Sequence, residues 1–541
     1  MSAGYSLISW PFLQGRVTNN DLEQIRDGIH QHCEDICARE KIKFMTLHLF
    51  CLLPSVGCLG RDTLIVNVTG AESVDKWQNA VNAMQILVDK YIEQHSLDCQ
   101  LPIEMRYADK MHQYRSDVIR FNSAEHKLFL RMEDKIIKTI EAKCSNWNVI
   151  SFRMRGQRYE KKDRPTVLVN IKPLAKGKWH DISQSINAEL DRLSKDVSIN
   201  PDQMEVFFEM TSGDVFSSVA KEMKRLQPTD IDVTMTPPPG ASIGPRGGDE
   251  CGTMGPYVNA TDKHGNVIPC FLTCYHVIRG GVQDAQAKLN DVFGIGLGPE
   301  SSQGTIVVDY PAPRDAQETR KKAIADLSKA TSHTEIGTKI ATKAQETLRI
   351  LDYFQNGPGL GRVIHASGLY REASHEHRLD WALVQLNDPA LIQRNLAVRK
   401  DKLTREEQRF LTDDIYETQT EDIIVNKVMK HDQLQEYDCL LKDDSRTSFA
   451  RFGYVHALHD KVNWEELGNR NTIEDTVLFG GRGSLCFVEC GDSGAAVHNV
   501  KHEMFGIAVG NSTSVDGSYI TPLEFIFEDI KEATGLTITL V

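Results

Sequence analysis

The run Cys490-Gly491-Asp492-Ser493-Gly494-Ala495-Ala496-Val497 sets a serine between glycines and then enters an apolar stretch. Glycine, aspartate and serine favour a tight turn, so this segment holds a hydroxyl at a sharp bend. A serine hydroxyl is a poor nucleophile until an imidazole accepts its proton, and the imidazole needs a carboxylate to fix its tautomer. Both partners occur upstream. Phe271-Leu272-Thr273-Cys274-Tyr275-His276-Val277-Ile278 is a β-prone run carrying a histidine, and Leu379-Asp380-Trp381-Ala382-Leu383-Val384 places an aspartate at the start of another.

The chain order His276, Asp380, Ser493 and these three flanking sequences resemble the chymotrypsin/trypsin superfamily of serine peptidases, in its disulfide-poor, intracellular form. Further segments fit the resemblance. Cys251-Gly252-Thr253-Met254-Gly255-Pro256-Tyr257-Val258 looks like the family's opening strand, followed by the turn His264-Gly265-Asn266. Phe505 to Gly510 and Gly517 to Pro522 look like the walls of the primary specificity pocket, and Phe525 to Thr534, stopped by Gly535, reads as the C-terminal helix. The resemblance covers residues 240–541. It implies an all-β double barrel with helical insertions, in which His276 is the general base, Asp380 orients it, Ser493 attacks, and the amides of Gly491 and Ser493 hold the oxyanion. It further implies a substrate pocket with Phe487 at its base and Ala508, Val509, Gly510 and Gly517 on its walls, suited to small or medium apolar side chains.

The departures are informative. The separations of 104 residues from His276 to Asp380 and 113 from Asp380 to Ser493 leave room for expanded loops. Asp315 to Asp352 reads as a helical pair and Arg399 to Asp414 as a helical excursion. Both are expected to be solvated insertions, or else a lid or docking element. Ala508 stands where the family usually carries a serine bonded to the catalytic aspartate. Asp388, His375 and His377 are expected to be surface residues. With no processed N-terminus evident, Asp492 must be satisfied by a side chain or by hydrogen bonds.

With 541 residues, 40% of them hydrophobic and 25% charged, the composition is globular and leaves room for two or three domains. A net charge of -13 argues against nucleic acid as the ligand. The first residues, Met1 to Leu7, lack the basic-then-apolar plan of a signal peptide, and no apolar run is long enough to span a bilayer. An intracellular, cytoplasmic protein with 12 reduced cysteines is therefore expected. Cys270/Cys274 and Cys486/Cys490 lack a histidine pair at ligand spacing, so neither a metal nor another cofactor is expected. Cys490, beside the serine turn, is expected to be a silent thiol, the alternative being oxidation that blocks the site.

The front half repeats itself. Arg61-Asp62-Thr63-Leu64-Ile65-Val66-Asn67-Val68 matches Arg164-Pro165-Thr166-Val167-Leu168-Val169-Asn170-Ile171 at an offset of 103. Flanking periodicities predict helix, strand, strand, helix, strand in each copy, closed by Ile103 to Tyr107 and Met204 to Met210, with Trp77 and Trp179 as core anchors. The fold class expected is multi-domain: α+β modules over 1–115 and 116–235, a Pro/Gly linker over 236–250 that holds neither helix nor sheet, and a peptidase domain over 251–541. The modules are expected to serve regulation, binding to a protein partner or self-association. The chain as a whole reads as a serine endopeptidase acting on protein or peptide, in trans or in cis; the alternative is a peptidase-like recognition protein with little or no turnover.

Overall fold

The computed structural model describes all residues except 1–12, 16, 18–21, 54–59, 70–73, 98, 108–113, 158–162, 173–174, 197–205, 213–214, 218–232, 299–305, 331–333, 374–375, 411–421, 437–438, 465–469, 480–485 and 513–516. Met204 and His375 lie outside the described residues. Two compact units are present: the first comprises 1–215 with the short pieces 460–463 and 512–516, and the second comprises the remainder of 216–541.

In the first unit the order helix, strand, strand, helix, strand occurs twice. Leu22–Arg39, Lys43–Leu53, Arg61–Thr69, Val74–Gln94 and Ile103–Tyr107 form one set, and Ala124–Lys143, Trp147–Gln157, Arg164–Ile171, Trp179–Asp196 and Phe207–Ser212 the other. In each, the first two strands pair antiparallel and the last adds parallel. A register break recurs at the equivalent place, between Phe44 and Thr46 and between Trp147 and Val149, each 103 positions apart. Ile25, Ile29, Cys33 and Ile36 on one helix, Val81, Met84 and Val88 on the other, and Leu64, Val66 and Val68 on the strand form one buried core. Their spacings of three to four on the helices and two on the strand are what put them on the covered faces.

Two buried charge groups accompany that apolar packing. Glu104 is shared between Arg61 and Arg106, all within the sheet. Arg153, wholly buried, pairs with Asp460 at 2.7 Å; the neighbouring residues Lys461 and Val462 pair antiparallel with Ile150 and Val149.

The second unit contains a six-stranded barrel that closes on itself. Cys439–Lys442 pairs with Arg451–Val455, that strand with Arg470–Phe479, that with Gly517–Pro522, that with Glu503–Ser512, that with Ala496–Asn499, and the last returns to Cys439–Lys442. Closure leaves these strands no open edge. A second sheet of eight strands runs from Gly252–Thr253 through Ser242–Pro245, Val307–Asp309, Gly361–Ala366, Ala382–Leu386, Val267–Thr273 and Tyr257–Thr261 to Thr537–Leu540. A closed barrel beside a half-barrel sheet is compatible with the chymotrypsin-like double barrel. The helical pair is present as Pro313–Lys329 and Glu335–Asn356, and Leu523–Thr534 ends at Gly535, whose φ of 75° makes the expected left-handed stop. Of the Arg399–Asp414 excursion, Lys400–Lys402 and Arg405–Phe410 are helical turns; 411–414 lie outside the described residues.

One expectation fails clearly. The Pro/Gly stretch is no exposed linker, because Ser242–Pro245 is a buried strand paired on both sides. Gly244 sits where a Cβ would come within 2.5 Å of the Glu250 carbonyl, so the glycine serves close backbone approach. Proline ends the strand, where its missing N–H costs no ladder bond. Among the described residues no helix is long and apolar enough to cross a membrane.

Candidate active site

Strand register brings the histidine and aspartate together. Val267–Thr273 runs antiparallel to Ala382–Leu386 with Thr273 opposite Ala382, so the residues just after the first strand and just before the second meet at one end of the sheet. His276 sits there on the short helix Tyr275–Ile278. Its Nδ1 lies 2.6 Å from Asp380 Oδ2, and its backbone N–H donates to Oδ1 at 3.0 Å. Holding Nδ1–H against a carboxylate leaves Nε2 as the basic nitrogen. Burial alone would push Asp380 up, but His276 and Arg378 outweigh it and hold the carboxyl down at about 2.

Arg378 was invisible to motif reading. Its guanidinium, fully buried and stacked 4.5 Å over Trp464, donates to Asp380 Oδ2 at 2.6 Å. Asp380 thus answers to two cations. A guanidinium on the carboxylate lowers the basicity that Asp380 lends to the imidazole.

The serine turn is fixed from several sides. Gly491 and Gly494 have φ of 99° and 97°, values that only glycine adopts cheaply. The Ser493 carbonyl accepts the Thr253 amide at 2.9 Å, and the Gly494 amide donates to the Ala508 carbonyl at 2.8 Å. Asp492, fully buried, accepts from the hydroxyls of Ser445 and Ser448 and from the Glu489 amide, and lies 3.6 Å from the Lys442 ammonium. Burial pulls Lys442 down, whereas Asp492 ends below its ordinary range because, against its own burial, Lys442 and these donors favour the charged form. An internal lysine therefore meets the need for a counter-charge.

The hydroxyl itself is turned away. Ser493 Oγ donates to the Val509 carbonyl at 3.1 Å, and His276 Nε2, though buried, has no hydrogen-bond partner among the described residues. Ser493 and Asp380 are 0% exposed and His276 4%. Access to the turn is narrow: a Cβ on Gly491 would meet Thr447 Oγ1 at 2.2 Å and Arg446 Nη1 at 2.7 Å. Arg446 is held by Asp315, at the start of the inserted helix Pro313–Lys329, in a buried pair at 2.6 Å. That helix is tied at its first turn to the loop beside the serine turn, while Ile324 on it and Ile336 and Ile340 on the following helix stay exposed.

The pocket candidates Phe487, Ala508, Val509, Gly510 and Gly517 are all buried, with the Phe487 ring close against Gly453. Cys490 is also buried, which leaves little access for an oxidant. His377 is only 2% exposed, contrary to the surface position expected, because its ring packs against Phe525 and lies 3.3 Å from Asp475. No disulfide joins any two of the described cysteines.

No protein-family model matches the chain, and neither does any curated protein. Among solved structures, it is similar to a glutamic-acid-specific serine protease described as using a histidine triad in substrate binding, at 14% identity and a TM-score of 0.26, covering 56% of this chain and 99% of that one. It is also similar to Cellulomonas bogoriensis chymotrypsin, at 12% identity and a TM-score of 0.25, covering 56% and 97%. At such values neither likeness bears on activity, and the chemistry rests on the site's own residues.

Proposed function

We propose that the second unit is a serine endopeptidase whose catalytic groups are His276, Asp380 and Ser493, held in a closed arrangement. The observation that carries this reading is the two-point grip of Asp380 on His276, through Nδ1 and the backbone amide, which fixes the tautomer a general base requires. Ser493 becomes competent when its hydroxyl leaves the Val509 carbonyl for His276 Nε2; apo sites often carry such loose catalytic bonds. The amides of Gly491 and Ser493 would hold the oxyanion. Phe487 would shorten the pocket and favour small or medium apolar side chains, since its ring offers a buried lysine or arginine no charge to pair with. We further propose that the protein works inside the cell and that its front half regulates, binds or assembles.

A second reading has an observation of its own. Ser493 is wholly buried and bonded elsewhere, as suits a recognition protein with little turnover. Labelling of the intact protein with a serine-directed fluorophosphonate, beside Ser493→Ala and His276→Ala, separates the two. Labelling at Ser493 that both variants lose supports the peptidase, whereas no labelling under any folded condition supports the recognition protein. If turnover is found, the double variant should lose little more than either single, because the pair acts as one unit.

A further inference from the structure

Four side chains outside the catalytic groups converge on one point. His377, His431, His459 and Asp475 each present a ligand atom, and all four atoms lie within 4.8 Å of one another. They come from four separate segments: the turn before Asp380, the start of the helical turn His431–Glu436, the stretch after strand Arg451–Val455, and the barrel strand Arg470–Phe479. Asp475 is at the centre. Its oxygens lie 3.0 and 3.2 Å from His431 Nε2, 3.3 Å from His377 Nε2 and 3.4 Å from His459 Nε2.

Those distances bear on two explanations. Charge-assisted hydrogen bonds from imidazole to carboxylate should close to about 2.7–2.9 Å. Ligands arranged tetrahedrally around a zinc ion at about 2.0–2.1 Å stand roughly 3.3–3.4 Å apart. The 3.3 and 3.4 Å separations of His377 and His459 match the second value, while the 3.0 and 3.2 Å of His431 lie between the two. Phe525 packs against His377 and His431 at ring-centroid distances of 5.2 and 4.8 Å, which restricts how far either imidazole can turn. Access is open on one side, since His459 is 43% and His431 24% exposed at the side chain while His377 and Asp475 are buried.

We infer that His377, His431, His459 and Asp475 form a zinc site. Three neutral imidazoles and one carboxylate leave a divalent ion with a single positive charge, and nitrogen with oxygen is a donor set that zinc accepts readily. Four protein ligands complete a tetrahedron, so the ion would be structural. It would fasten the turn that carries Arg378 and Asp380 to the barrel strand holding Asp475. The assignment stands apart from the peptidase reading, because none of the four side chains is needed for acyl transfer.

The test uses the full-length protein, stripped with a chelator and dialysed against micromolar zinc. One zinc per chain is expected by elemental analysis, with cobalt in its place giving the visible bands of tetrahedral coordination and zinc abolishing them. His431→Ala and His459→Ala, both at partly exposed positions, should each weaken uptake by at least about tenfold. His276→Ala should keep full uptake, which separates this site from the neighbouring Cys274, His276 and Asp380 group. Zinc should raise the melting temperature of the wild type and not of the two ligand variants. Failure of the wild type to take up zinc stoichiometrically overturns the assignment even if a variant misfolds. So does uptake unchanged in both ligand variants, or lost in His276→Ala.

Discussion

At single residues, the groups that carry chemistry were readable where they sat in a characteristic run, and unreadable where they met from afar. His276 and Asp380 announce themselves by the apolar strands beside them, and register does the rest. Lys442 carries no such sign. It is one lysine in a strand, and only folding sets it 3.6 Å from Asp492. Its burial yields a sharp expectation. Lys442→Met should leave Asp492 charged without the ammonium 3.6 Å away, costing about 3 kcal/mol in denaturant unfolding. Lys442→Met with Asp492→Asn should recover most of the loss, because neither member of the pair then carries a buried charge. A single variant within about 0.5 kcal/mol of wild type, as for an ordinary surface change, would show that the serine and amide donors suffice by themselves. The same blindness applies to Arg378 and to the histidines around Asp475, whose positions 377, 431, 459 and 475 share no local spacing.

Elements show a different limit. Periodicity identified the long helices and paired strands of the front half, because one covered face forces apolar residues to recur. The Pro237 to Gly248 stretch went wrong for the reason that composition reports what a segment does alone, whereas Ser242–Pro245 is a strand only because Gly252–Thr253 and Val308–Asp309 supply its ladder. Tyr257 OH donates to the Pro237 carbonyl, and the Gly240 amide to that of Met254. Limited proteolysis should therefore leave 237–248 intact while cutting elsewhere first, as mass mapping of the early fragments would reveal. Early cleavage between Pro237 and Gly248 would contradict the burial described. The two inserted helices were legible as helices; what they touch was not, since the Asp315 and Arg446 pairing joins residues 131 positions apart.

Over the whole molecule, the expected boundaries of the modules are complicated by chain that returns. Residues 460–463 and 512–516 belong with 1–215. Arg153 draws its counter-ion, Asp460, from the first of these pieces, and Asn170 donates to Ser512 in the second. A fragment ending at Val215 should consequently unfold at lower denaturant than the same region in the full chain, with Arg153→Met restoring part of the difference. Equal stability of fragment and full chain would mean the returning pieces contribute nothing. The break at Phe44/Thr46 recurs at Trp147/Val149 at an offset of 103, so the same local geometry occurs twice in the front half. For the growing chain, Arg153 and its partner set a schedule. At translation speeds of about 5–20 residues per second, roughly 12–50 s separate the emergence of residue 215 from that of Asp460. Through that interval the nascent second module holds a guanidinium with no carboxylate to meet it, so its last packing step waits on the ribosome rather than on its own sequence.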